Sequence, residues 1–327
     1  MGGTAVSASD GPPPRARRRR LWLRVLIGGL ATWILSVLTY WATKDGTIVP
    51  SIIFAGSFLI PITFVVWAVE REQYSGANPA GEPSALTVPL LATAMVGAGL
   101  FAVIVCALIE SLLLPGHPIA YYPGVAVIEE TVKLLMVFLL ARHLRSYYRR
   151  DGMVLGAAVG FGFAAFESSG YAFNAMIASS NNDIFPLLQD QMVRGLLAPV
   201  GHGLWTALAG GALFAAARNG RMRLAPSVVG WWLVAVLLHL LWDVSASLAV
   251  ALTFLSTGDP IDSSAVLVGH LTDPTQAQVR FDVVYYWLLY CTCAVIGIVL
   301  VQRMWHRGRA VVPGFGSRSD GLESVTS

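Results

Sequence analysis

The chain has 327 residues, 55% hydrophobic and 13% charged, with a formal net charge of +3. A soluble domain carries about a quarter charged residues, so this composition excludes an ordinary soluble globular protein and indicates a membrane protein. So small a net charge gives no reason to expect a nucleic-acid partner.

Residues 1–20 are rich in Gly, Ser and Pro and end in Arg15, Arg17, Arg18, Arg19 and Arg20. That pattern predicts a disordered basic arm near anionic lipid headgroups. The apolar run from Leu21 to Ala42 is longer than a signal-peptide core and lacks a small-x-small cleavage site, so it reads as a retained anchor. About eight stretches reach the ~20 residues that a spanning helix needs. They run roughly 21–42, 49–69, 87–114, 120–141, 152–178, 194–217, 225–255 and 282–302.

The connections set the orientation. Arg142, Arg145, Arg149 and Arg150 fill one, Arg218, Arg221 and Arg223 another, and Arg303, Arg307 and Arg309 follow the last span. With an even number of spans, every cluster falls on the side of the basic N-terminus. The positive-inside rule then places both termini in the cytoplasm. The expected fold is an all-α polytopic membrane bundle: an arm (1–20), a transmembrane domain (21–302, catalytic core about 120–250) and a cytoplasmic tail (303–327). Cys106, Cys291 and Cys293 lie in apolar segments and read as packing residues. No internal repeat supports a duplicated transporter.

Glu129, Glu130 and Lys133 interrupt the apolar stretch from Ala120 to Leu140. One charged side chain at the bilayer centre costs roughly 2.5–3.5 kcal/mol, so three without partners would cost on the order of 10 kcal/mol. A purely structural span has no reason to carry them. Lys133 follows the two glutamates by three and four residues and can reach either carboxylate. One cation between two carboxylates leaves a charge unbalanced, which suits one of them to acid–base work. Later spans add Glu167, His202, His239 and Asp243. At about 1.5 Å per residue all of these lie roughly 12–25 Å below the outer face, one slab near the midplane. His239 and Asp243 are four apart on one face, so Asp243 can orient the imidazole or share a metal with it. Gly152, Gly156 and Gly160 recur every fourth residue, a spacing that lets helices approach closely and brings Glu167 near a neighbour. Glu167 has no local cation. Glu110 and Arg194 sit near span ends, where snorkelling suffices, and are assigned no chemistry.

The segments Glu129-Glu130-Thr131-Val132-Lys133, Phe163-Ala164-Ala165-Phe166-Glu167, the isolated His202 and His239-Leu240-Leu241-Trp242-Asp243 together resemble the PrsW family. That family is similar to the larger CAAX-protease and bacteriocin-processing superfamily of intramembrane proteases. Its pattern of EExxK, FxxxE, a histidine and HxxxD or HxxxN on successive spans is met here in order, over about residues 120–250. The resemblance implies an integral protein of a bacterial cell membrane that cleaves a membrane-anchored protein, such as an anti-sigma factor. It implies catalytic roles for Glu129, Glu130, Glu167, His202, His239 and Asp243, with Lys133 and Phe163 in support. Glu129 or Glu130 would activate water. Glu167, His202, His239 and Asp243 could hold a divalent metal such as zinc, or the histidines could stabilise the oxyanion directly. No HExxH pair supplies the familiar zinc-and-base geometry, which favours chemistry without a tightly held metal. Two other readings stand beside this one. They are a proton-coupled transporter or channel, since carboxylates and histidines also build proton relays, and a non-catalytic scaffold that binds transmembrane helices.

Overall fold

The computed structural model describes residues 20–75, 84–179 and 183–307. The expected arm up to residue 19 and the tail from 308 lie outside them. The described chain is helical throughout, with no strand among the described residues. In order the helices are α1 (Leu21–Thr43), α2 (Val49–Ser75), α3 (Val88–Ala92), α4 (Gly99–Leu113), α5 (Tyr121–Ala141) and α6 (Arg149–Ile177). Then come α7 (Phe185–Leu197), α8 (His202–Ala215), α9 (Pro226–Asp243), α10 (Ser245–Thr257), α11 (Ser263–Val268) and α12 (Gln276–Arg307).

Among the described residues, seven segments are long and apolar enough to cross a membrane: α1, Gly46–Glu70, Val88–Leu113, α6, Phe185–Ala215, α9 and α12. They coincide with seven of the eight expected spans. The remaining one, α5, has 21 residues, and its charges set it apart from the others.

Local chemistry explains the breaks. α1 ends at Lys44, which adopts a left-handed conformation and returns its N–H to the Tyr40 carbonyl. Asp45 then accepts the Thr47 N–H and opens the turn into α2, and those contacts hold its carboxyl below the ordinary aspartate range. Thr87 caps α3 by accepting from the Leu90 N–H. α3 runs into α4 through a wider π turn, Thr93–Ala98. There Met95 and Gly99 lie against the backbone of Gly162, and no side chain fits at Gly162. A π turn at such a backbone crossing is a local adjustment to close packing.

Two expected spans are divided. The stretch 225–255 breaks at Val244 into α9 and α10, with the Ser245 hydroxyl bonding back to the Leu241 carbonyl at 2.6 Å. Such back-bonding bends helices, and apolar content alone does not register it. The stretch 194–217 is two helices, α7 and α8, joined by a tight turn at Ala198–Val200.

The centre of the bundle is the seam between α6 and α8. α6 is buried continuously from Asp151 to Ala165. A Cβ on Gly152, Gly156 or Gly160 would collide with the carbonyl of Gly210, Thr206 or His202. The glycine stripe therefore does what its spacing predicts. It brings two backbones into contact and sets His202, the first residue of α8, beside α6.

The helix ends are tied at one end of the bundle. Glu70, late in α2, accepts the N–H groups of Leu21 and Trp22 at 2.6 and 3.2 Å and satisfies orphan donors of α1. Arg150 donates to the Trp305 carbonyl at 3.3 Å and lies over the indole, joining the start of α6 to the end of α12.

Candidate active site

Five helices, α5 to α9, contribute ionisable side chains to one cluster. From α5 come Glu129, Glu130 and Lys133, all buried. Lys133 is completely enclosed, with its Nζ 2.7 Å from Glu130 Oε1 and 3.2 Å from Glu129 Oε2. The helical spacing predicts both contacts, and both are made. The same ammonium sits 4.3 Å above the centre of the Phe163 ring, from α6. It also lies 2.8 Å from Nδ1 of His202.

That last contact fixes a tautomer. An ammonium donates and never accepts, so His202 Nδ1 accepts from it and the ring proton resides on Nε2. Nε2 faces Glu167 Oε2 at 3.2 Å, a position where its N–H is accepted by a carboxylate. His239, on α9, points Nδ1 at Glu130 Oε1, 3.0 Å away. With the proton there, its Nε2 presents a lone pair toward Asp243 Oδ2 at 3.3 Å and Glu129 Oε2 at 3.8 Å. Trp205 of α8 stacks on the His239 ring, with centroids 4.8 Å apart and planes at 23°. The two imidazoles meet edge to face at 4.9 Å.

Every residue singled out in the sequence thus belongs to one constellation. Glu129 is at its centre, with Oε2 3.8 Å from His202 Nδ1 and 3.8 Å from His239 Nε2. Glu129, His202 and His239 each offer a ligand atom within 4.8 Å of the others, a group able to hold a metal ion. Of the four residues expected as ligands, His202 and His239 are in that group. Glu167 and Asp243 lie one contact further out, each against a histidine.

A sequence model of the PrsW family intramembrane metalloproteases matches residues 83–268, more than half of the chain. The chain belongs to that family. No curated protein matches it, and no solved structure does. The PrsW match begins ahead of α3 and ends with α11, so it is wider than the 120–250 stretch that carries the four motifs. It takes in α3 and α4, which pack on α6, and leaves out α1, α2 and α12. Membership makes this an integral membrane protease, and the family is described as metallo-type.

One participant escaped the sequence. Arg194, given no chemistry there, donates to Glu167 Oε2 at 2.6 Å and to the Ser168 hydroxyl at 2.8 Å. Glu167 therefore does have a cation, supplied by α7 rather than by its own helix. A signal was present: Gln191 and Arg194 are three apart, so α7 carries two polar side chains on one face. Both turn inward. Gln191 donates to the Ile53 carbonyl at 2.6 Å and accepts from Trp33 at 3.0 Å, pinning α7 to α2 and α1.

Proposed function

We propose that this PrsW-family chain is an endopeptidase that hydrolyses a peptide bond of a membrane-anchored protein, with Glu129 activating the water. The carrying observation is the position of Glu129 between two imidazoles, 3.8 Å from each. That separation is too long for a direct hydrogen bond, so neither imidazole ties up the carboxylate, whose short contact is Lys133 at 3.2 Å. Glu130 suits the role less well. Both glutamates contact Lys133, but Glu130 is the closer, at 2.7 against 3.2 Å, and its Oε1 also faces His239 Nδ1 at 3.0 Å, an arrangement that holds the imidazole in place. In the reading offered, Glu129 removes a proton as the water oxygen bonds to the scissile carbonyl carbon. The Lys133 ammonium supplies positive charge opposite the oxygen on which negative charge develops. The proton then passes to the leaving amine as the C–N bond breaks.

The family description implies a metal, and the donor set fits one. Two imidazoles and a carboxylate are a known catalytic zinc set. His239 also has the carboxylate behind its far nitrogen that ligating histidines usually have, here Glu130 at 3.0 Å. The charge count agrees. Four carboxylates (Glu129, Glu130, Glu167 and Asp243) face two fixed cations (Lys133 and Arg194), and Glu130 Oε2 is buried without a partner. A divalent ion would balance the two remaining negative charges. Held by Glu129, His239 and a His202 Nδ1 released from Lys133, it would supply Lewis acidity to the carbonyl or the water. The family resemblance also supports an anti-sigma-type substrate and a bacterial cell membrane, and the positive-inside rule supports an Arg-rich end facing the cytoplasm.

Reconstituted protein and a single-pass fusion substrate test the reading. Glu129→Gln should lower kcat about 10²–10⁴-fold, the usual contribution of a general base, without unfolding the protein. Undiminished turnover in a folded Glu129→Gln variant would remove Glu129 from the chemistry.

A further inference from the structure

Far from the catalytic cluster, a cavity of about 250 Å³ opens where α6 begins, α8 and α12 end and α9 starts. Three guanidinium groups line it: Arg149, the first residue of α6, with Arg303 and Arg307 in the last turns of α12. Among the described residues, no carboxylate lines it. Arg303 and Arg307 are four apart, so they share a helix face and repel each other. Arg149 stands at a helix N-terminus, where the backbone dipole disfavours a cation. Ser227, in the first turn of α9, adds a hydroxyl to the wall. The remaining wall is apolar, including Trp231 and Leu300. Each of these features is unfavourable alone, and one bound anion relieves them together.

We infer that this cavity is a binding site for the phosphate headgroup of an anionic phospholipid, with the acyl chains running along Leu300 and Trp231. Position favours a lipid over a free anion. The cavity lies at the end of spanning helices, and the neighbouring Trp305, packed against Arg150, adds a second interfacial indole. Basic pockets between helices at this level hold phospholipid headgroups in other membrane proteins. From Arg149 to Phe163 is fourteen residues of α6, about 21 Å, so the site is separate from the protease centre.

Full-length protein in detergent, supplied with phosphatidylglycerol or phosphatidylcholine and examined by native mass spectrometry, tests this. Wild type should retain phosphatidylglycerol in preference to phosphatidylcholine. The variant Arg149→Gln/Arg303→Gln/Arg307→Gln should bind it on the order of 100-fold more weakly, and Arg303→Gln alone about fivefold. The exposed position of Arg303 makes the single variant safe for folding. Arg142→Gln/Arg145→Gln/Arg218→Gln removes the same charge from other loops and should leave binding intact. Equal losses in the two triple variants would reduce the effect to a general field and overturn the site. So would equal retention of phosphatidylcholine. Displacement of the lipid by millimolar inorganic phosphate would make the ligand a free anion and overturn the lipid assignment.

Discussion

α6 and α12 are nearly equal in length, 29 and 32 residues, yet they solve opposite problems. α12 is the more apolar of the two and buries only Cys293, Gly297 and Met304. α6 is less apolar and buries its backbone continuously from Asp151 to Ala165. In a soluble protein the ranking would be reversed. Lipid is as apolar as leucine, so it does not drive apolar helices together, and the interior is chosen by fit and by polar partners. Helices such as α1 and α12 present leucine, isoleucine and valine outward. α6 offers glycine and alanine inward and carries Glu167.

The contrast is sharpest at the ion cluster. Lys133→Met leaves two buried carboxylates facing each other, and it should destabilise the folded protein by about 3–5 kcal/mol. Thermal unfolding in detergent measures this. Adding Glu130→Gln should recover part of the loss, because one of the two stranded charges goes with it. No recovery in the double variant would mean that Lys133 acts by packing rather than by charge.

A glycine exchange compares the two environments directly. Gly160→Val drives a side chain into the His202 carbonyl and should cost about 3 kcal/mol, at the upper end of overpacking effects. Cleavage should fall with it, since His202 is displaced. Gly28 of α1 has open space around its missing side chain. Gly28→Val should stay within about 0.5 kcal/mol of wild type, as for surface substitutions. Equal effects at the two positions would dissolve the distinction between seam and periphery.

Arg194→Gln gives the smallest change expected within the cluster. It removes a charged hydrogen bond that is partly open to solvent, worth about 1–3 kcal/mol. Peptide cleavage should fall while α7 stays docked through Gln191. Hydrogen exchange across α7 separates that outcome from local unfolding.

Much of this was legible before any coordinates. Charges at 129, 130 and 133 fix their own pairing, because helical geometry determines what three and four residues reach. The stripe at 152, 156 and 160 likewise announces a close crossing, though not which helix crosses. The partner of Arg194 was hidden for a related reason, although its spacing from Gln191 marked a polar face of α7. Its partner is 27 residues away on another helix, and a cation near a span end has a ready explanation in water or headgroups. The break at Val244 and the π turn at Thr93–Ala98 are hidden too. Neither carries a proline; the first goes with the Ser245 back-bond and the second with the backbone crossing at Gly162.

The contact between Lys133 and His202 makes the cluster asymmetric. While the ammonium occupies Nδ1, that ring cannot take up a proton there and hand one on from its other side. For the proposed reaction, that leaves the α9 side, from Glu129 past His239 to Asp243, as the route by which a proton would leave the cluster. Asp243 keeps 19% of its side chain accessible against 6% for Glu129, so this path leads outward from the sealed interior.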